Sequence, residues 1–355
     1  MASNRQKTSP SETGADILPL IRGRRATSYD VARLAGVSQS AVSRCFKPGA
    51  SVSDRMRERV LKAAEQLEYQ PNAIARGLIT QRSNLVAVLV SGRLNLYYPE
   101  VLFRLTQELS GVGLRVLLFT VDSEAEAEAV IEQAWQFQVD GVISASHLSR
   151  AQFDVLDKRR IPIIFFNRYF SDRSTNIVYC DPASQVDALI ARLTELGHRK
   201  FGLIRGPDLN MVSDERTRLV RGALSRRGVT ALHEVAGDFT YDSGAAALQD
   251  LWLHEADRPT AVISANDMMA LGAMDEARSV LELKIPDDLS IAGFDGIGMS
   301  QFASYELTTI RQPIGRMCQA AVAMILARIE QPDQSNERRV FEGAMIEGAS
   351  IAAAP

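Results

Sequence analysis

Cysteine and histidine are scarce. The three cysteines, Cys45, Cys180 and Cys318, are odd in number and far apart, so no disulfide framework and no CxxC metal site is available. They read as small apolar residues of a reducing compartment. The four histidines, His147, His198, His233 and His254, also lack metal-ligand spacing, and no metal is expected. No run approaches the ~18 apolar residues of a membrane span. The opening MASNRQKTSPSETGAD is polar and has no apolar signal core, so the expected setting is cytoplasmic and away from membranes. No GxGxxG opens a strand–helix unit, and neither a GxxxxGKS/T loop nor a GxSxG elbow is present. Nucleotide-cofactor and hydrolase readings lose their usual support, and no cofactor is expected.

What remains is a globular composition. Hydrophobic residues make up 46% and charged residues 23% of 355 residues, enough for a large core and for two or three domains. The net charge of −3 averages unlike regions. Residues 22–82 hold 12 Lys and Arg against 5 Asp and Glu, a balance of +7; residues 1–21 are balanced, so residues 83–355 carry −10. A basic block of about sixty residues on an acidic body implies a small polyanion-binding module joined to a larger domain.

The basic block has a readable order. Residues 1–26 read as a flexible tail ending in Arg22, Arg24 and Arg25. Thr27 suits the cap of a helix from Ser28 to about Ala35, with Asp30 near its positive end. Gly36 supplies a tight turn. Ser38 caps a second helix from Gln39 to about Phe46. Val31, Ala35, Val37, Val42 and Cys45 form one apolar seam, and the small Ala32 lets the helices cross closely. These features predict a helix-turn-helix. Its second helix would present Gln39, Ser40 and Arg44 to base edges in a major groove. Thr27, Ser38 and Ser43 suit phosphate contacts. A third helix is expected from the Ser53 cap, with Met56, Val60, Ala63 and Leu67 inward and Arg55, Arg57, Arg59 and Lys62 on the other face. Pro71 stops it, and Asn72 can begin a short helix carrying Ala75 and Leu78 and weakened by Gly77.

From Asn84 the chain alternates β-rich and helical stretches: "NLVAVLVSG", "RVLLFTV", "DGVISAS" and "IPIIFFN", then, after "NIVYCD", "FGLIRG", "TAVISA" and "LSIAGFD". This rhythm predicts two doubly wound parallel α/β lobes with a cleft between them for a small ligand. Gly197 fits a helix stop, and His198 beside it is expected at the surface.

Residues 27–82 resemble the headpiece and hinge of the LacI/GalR family of bacterial transcription regulators, through "YDVARLAGVSQSAVSR" and "YQPNAIARGL". "ELGHRKFGLIRGP", "TAVISANDMMALGAMDEA", "IPDDLSIAGFDGI" and "LTTIRQPIGRM" are similar to signatures of the family's effector-binding core, itself like periplasmic sugar-binding proteins. The resemblance implies a helix-turn-helix domain over 27–70, a hinge over 71–82, one lobe from 83–180 with 313–341, and a second from 181–312 with 342–355. It implies that Leu78 wedges into the minor groove at an operator's centre. It places Asn266, Asp295, Tyr97 and Tyr98 at effector positions.

Asn167 joins these residues because it ends "IPIIFFN", and carboxylate, amide and guanidinium groups at strand ends hold polyols. The resemblance also implies that one arginine after "IRGP" grips the ligand; Arg216 fits by spacing and Arg218 by sequence flavour. Asn266 as a helix cap and Tyr97 as core are the bland alternatives. Arg205, Arg168 and Arg216 would make the cleft cationic and suit a sugar acid or phosphosugar, against plain surface charge for Arg205. The reading is a homodimeric, non-enzymatic repressor of a pseudo-palindromic double-stranded operator, controlled by a sugar, sugar acid or related metabolite. The chain closes on "EGASIAAAP" without a heptad tail, which makes a dimer the default. A periplasmic-type solute-binding protein, or a cleft enzyme with a fused DNA-binding domain, is the alternative.

Overall fold

The computed structural model describes residues 24–47, 49–70, 82–91, 95–121, 124–168, 174–208, 210–253 and 258–355, in two compact units that divide after Ser83. The expected hinge positions Asn72, Ala75 and Leu78, and most of the expected tail, lie outside the described residues.

The first unit holds three helices, α1 (Ser28–Ala35), α2 (Gln39–Cys45) and α3 (Asp54–Gln66). Thr27 and Asp30 form a reciprocal capping box at α1, in which the Thr27 amide donates to Asp30 Oδ2 at 2.9 Å. Arg24 and Arg33 close on the buried Asp30 at 2.8 and 3.1 Å, and the Arg24 hydrogen bond holds its carboxyl well below the usual carboxylate range. Gly36 ends α1 at φ +61°, a backbone state that costs glycine no steric strain. Ser38 Oγ accepts from the Ala41 amide at 3.2 Å and starts α2. Ser53 precedes α3 in an extended conformation but makes no side-chain cap bond. Val31, Ala35, Val42, Cys45, Val60 and Ala63 share one core.

Two arginines of α3 have structural work. Arg57 donates to the Cys45 carbonyl at 2.9 Å, and Arg59 donates to the carbonyls of Ala35 and Gly36. Each brings positive charge to the carbonyl end of α1 or α2, where the last turn leaves acceptors unpaired.

The second unit contains two sheets of six strands built on the same plan. The first has β1 (Leu85–Val90), β2 (Arg115–Thr120), β3 (Gly141–Ser144), β4 (Ile163–Phe166), β5 (Asn176–Asp181) and β11 (Arg338–Glu342), in the order β11-β5-β4-β3-β1-β2, all parallel. The second has β6 (Lys200–Arg205), β7 (Ala231–Ala236), β8 (Ala261–Ser264), β9 (Ser290–Asp295), β10 (Thr308–Arg311) and β12 (Ala344–Ile346). Its order is β12-β10-β9-β8-β6-β7, and only the β10–β12 pair is antiparallel. Central strands such as β3, β4, β8 and β9 are buried throughout, as parallel strands covered on both faces must be.

Among the helices that cover these sheets are α4 (Tyr97–Gly111), α5 (Glu124–Gln136), α6 (Arg150–Lys158), α7 (Ala183–Glu195), α8 (Met211–Arg226), α9 (Tyr241–Trp252), α10 (Asp267–Ser279) and α11 (Ile314–Glu330). Chain passes from the first sheet to the second after Asp181, back after Gln312, and across again at Gly343. Helices α9 and α10 cross glycine against backbone. A Cβ on Gly272 would collide with the Tyr241 carbonyl, and one on Gly244 with the Met269 carbonyl.

His198 corrects the surface expectation. It is fully buried, with Nδ1 at 2.9 Å from Thr260 Oγ1 and Nε2 at 3.0 Å from the Ala352 carbonyl. The C-terminal segment, returning over residue 198, covers it. Burial lowers the pKa of its ring, which therefore favours the neutral form. Ser350 is locked nearby: its Oγ accepts from the Thr308 amide at 2.9 Å and donates to the Ile291 carbonyl at 2.5 Å.

Candidate nucleic-acid interface and interlobe cavity

On the first unit, Ser40, Ser43 and Arg44 lie exposed along α2, and Gln39 is half-buried. Gln39 Nε2 donates to Ser28 Oγ at 3.2 Å, which fixes its amide across the mouth of the turn. The Ser38 and Ser40 hydroxyls lie 3.0 Å apart. Thr27 is exposed, although its hydroxyl is already spent on the capping box, donating to Asp30 Oδ2 at 2.7 Å. Tyr29, 71% exposed at the start of α1, is an aromatic beside this surface that the sequence reading did not single out.

In the second unit a cavity of about 460 Å³ opens between the two sheets, at the C-terminal ends of their strands. That size suits a small metabolite, and the place is where doubly wound sheets bind ligands. Its floor is a closed chain of hydrogen bonds across the lobes. Asn167 Nδ2 donates to Tyr97 Oη at 3.0 Å and to Gln312 Oε1 at 2.6 Å, and Tyr97 Oη donates to the same Oε1 at 2.9 Å. Gln312 Nε2 then reaches Asp295 Oδ1 at 2.9 Å, and Arg216 reaches that oxygen at 2.6 Å. Arg216 also donates to the Ala265 carbonyl at 2.5 Å and lies 4.9 Å over the Phe294 ring. Gln312 therefore joins the lobes at one of their crossings.

Electrostatics follow from burial. Desolvation alone would lower the Arg216 pKa, but the charge of Asp295 and its hydrogen bond raise it, so the guanidinium stays charged. Burial, reinforced by Asp295, raises the Tyr97 phenol well above its ordinary value and keeps it a donor. Asp267, buried behind Asp295, is pushed up to about 7 by burial and by that neighbouring charge, against hydrogen bonds from Thr309 and the Ile297 amide. Asn167 and Asp295 also share a strained backbone, at φ +53° and +109°. Each follows or ends the fourth strand of its lobe, so the internal repeat places them as counterparts.

Of the residues picked from sequence, Tyr97, Tyr98, Asn167, Arg168, Arg216 and Asp295 line this cavity. Tyr97 is core and cavity wall together: its ring is buried while its hydroxyl faces the floor. Asn266 does not line it. Fully buried, it caps α10 by accepting from the Met269 amide at 3.0 Å, and its Nδ2 donates to the Phe239 carbonyl. Arg218 faces outward, 67% exposed and bridged to Glu215 at 2.7 Å, since two residues along a helix turn a side chain to the opposite face. Arg205 is likewise outside the wall, held by Asp208 at 2.9 Å and Glu234 at 3.3 Å. The reading missed Gln312, Ser146 and Asn210 in the wall. Only the "RQP" step after β10 offered a signal for Gln312.

A small helical headpiece and a two-lobed core with a ligand-sized cleft define a sensor joined to a nucleic-acid reader. Residues 27–72 match the family model for bacterial regulatory proteins of the lacI family, and residues 190–351 match a periplasmic binding protein-like domain. The chain is 31% identical to the ribose operon repressor of Haemophilus influenzae over 92% of its length and 98% of the relative's. It is 32% identical to the HTH-type transcriptional repressor PurR of Vibrio vulnificus, covering 89% and 95%. In fold it is similar to a lac repressor dimer bound to operator and the anti-inducer ONPF, with TM-score 0.84 and 24% identity over 93% and 100% of the chains. The chain belongs to the lacI family of transcriptional repressors. These relatives are repressors rather than enzymes, and among the described residues no helix is long and apolar enough to cross a membrane.

Proposed function

We infer that this protein is a cytoplasmic repressor that binds a pseudo-palindromic operator as a homodimer and changes its operator affinity when a sugar-like effector enters the interlobe cavity. The observation that carries this reading is the cavity floor, where amide, carboxylate, guanidinium and phenol groups from both lobes meet around Gln312. Such groups bind polyol hydroxyls, and a ligand that exchanges partners with Gln312 acts on both lobes at once. Tyr97, Tyr98, Asn167, Arg216 and Asp295 are the proposed effector contacts; Arg218 and Asn266 support the lobe instead.

On the first unit, Gln39, Ser40 and Arg44 read base edges and Ser38 and Ser43 fix register on phosphates, while Thr27 is committed to capping α1. The family resemblance implies minor-groove contacts at Asn72, Ala75 and Leu78, which lie outside the described residues. Arg44→Ala and Gln39→Ala each cost about 1–3 kcal/mol at the operator and little on random duplex, read by fluorescence anisotropy at fixed salt. Equal losses on both duplexes would make them phosphate contacts. A sugar panel screened by thermal shift, followed by operator titration with and without each hit, tests the linkage. A hit that leaves operator affinity unchanged would break it.

A further inference from the structure

Two arginines and two aspartates line the cavity wall, and all but one of the four are ion-paired. Asp208 is paired with Arg205 and Arg216 with Asp295, which leaves Arg168. Its guanidinium donates to its own chain, the Asn167 carbonyl, at 2.8 Å, and reaches only the Tyr98 hydroxyl at 3.5 Å. Among the described residues it has no carboxylate partner. Arg168 follows β4, and Ser146 follows β3, its neighbour in the sheet. Tyr98 Oη links the two positions, standing 3.5 Å from the Ala145 carbonyl as well. Ser146 lines the same wall, is 3% exposed, and its hydroxyl has no hydrogen-bond partner among the described residues. A buried hydroxyl left unpaired and a half-buried cation left uncompensated both call for an oxygen-rich anion. The Asn167–Gln312–Asp295 floor, in contrast, is internally paired and suits neutral hydroxyls.

We propose that the effector is a polyol carrying an anionic group, a carboxylate or a phosphate ester, which sits against Arg168 and Ser146. This rests on the cavity being the effector site. The full-length protein would be titrated by calorimetry with D-ribose, D-ribonate and D-ribose 5-phosphate, and with D-glucose, D-gluconate and D-glucose 6-phosphate. The expected result is that an anionic member binds about ten- to a hundredfold more tightly than its neutral parent. In Arg168→Gln that ratio falls to about one, with the melting temperature and effector-free operator binding retained. The carboxylate and phosphate arms show which anion fits. A neutral parent that binds as tightly as its anions, or a ratio unchanged in Arg168→Gln, overturns the proposal and leaves the sugar site standing. Binding by no member of the panel overturns the sugar site itself, and this proposal with it.

Discussion

The Arg216–Asp295 pair sets a quantitative expectation. Its atoms stand 2.6 Å apart, with side chains 9% and 4% exposed, so water cannot take over from a lost partner. Breaking a buried pair from one side leaves a charge uncompensated and costs about 3–5 kcal/mol. Asp295→Asn keeps an oxygen that accepts from Arg216 and Gln312, which puts its cost near the lower figure, about 3 kcal/mol. Arg216→Met leaves the carboxylate with Gln312 alone and costs a similar amount. The double variant has no stranded charge, so its cost is about 3–4 kcal/mol rather than the roughly 6 of the summed singles, a coupling of about 2–3 kcal/mol. The assay is urea unfolding followed by tryptophan fluorescence. Trp135 and Trp252 both belong to the second unit, so the signal reports the effector core alone. Raising salt from about 0.05 to about 0.5 M should leave the coupling in place, since buried pairs are poorly screened. Costs that add within about 0.5 kcal/mol would refute the reasoning, because the two groups would then be energetically independent.

Three more expectations concern stability. Gly272→Ala should destabilise the core by about 1–3 kcal/mol or more in urea, because its Cβ meets the immovable Tyr241 backbone. Gly222→Ala, where a Cβ finds ordinary contact at 3.4 Å, should gain up to about 1 kcal/mol in helix propensity; equal effects at the two sites would deny the close crossing. His198 favours its neutral form when folded, so its contribution is complete above the unfolded pKa of about 6.5 and is lost as pH falls below it. Stability should then fall as pH drops below about 6.5, by up to about 1.4 kcal/mol per pH unit more than in His198→Gln, and parallel pH profiles would count against it. Arg59→Ala removes a donor from the carbonyl ends at Ala35 and Gly36 and should lower headpiece stability by about 1 kcal/mol in circular dichroism, with operator specificity kept; unchanged melting would make the contact idle.

The headpiece was legible because its signals are local. Thr27, Gly36 and Ser38 announce the limits of α1 and α2 within a residue, and the seam follows from helical period. The repeating strand pattern likewise revealed the two lobes through fully apolar strands. Edge strands hid better: β7 is half-exposed and carries His233 and Glu234, and β11 begins with two arginines. At the cavity, sequence named six wall residues but left Arg216 and Arg218 open, since spacing alone does not reveal which helix face turns inward. Asn266 misled because a capping amide and a ligand-binding amide are the same residue at the same strand end. Gln312 depends on two lobes meeting, and His198 on a segment that returns more than 150 residues later, between residues 198 and 352. No local pattern encodes either.

The paired floor and the unpaired rim imply different selectivities for hydroxyl and charge. Where an empty site holds its donors idle, an analogue lacking one hydroxyl strands them and binds far more weakly. Asn167, Gln312, Asp295 and Arg216 already satisfy one another, so they can close again behind a deoxy analogue. Single deoxygenation at that end should be forgiven. Ser146 and Arg168 have no such fallback, and loss of the ligand's anion there should be punished steeply. The protein would sort metabolites first by charge and only loosely by stereochemistry, responding to a chemical class rather than to one sugar.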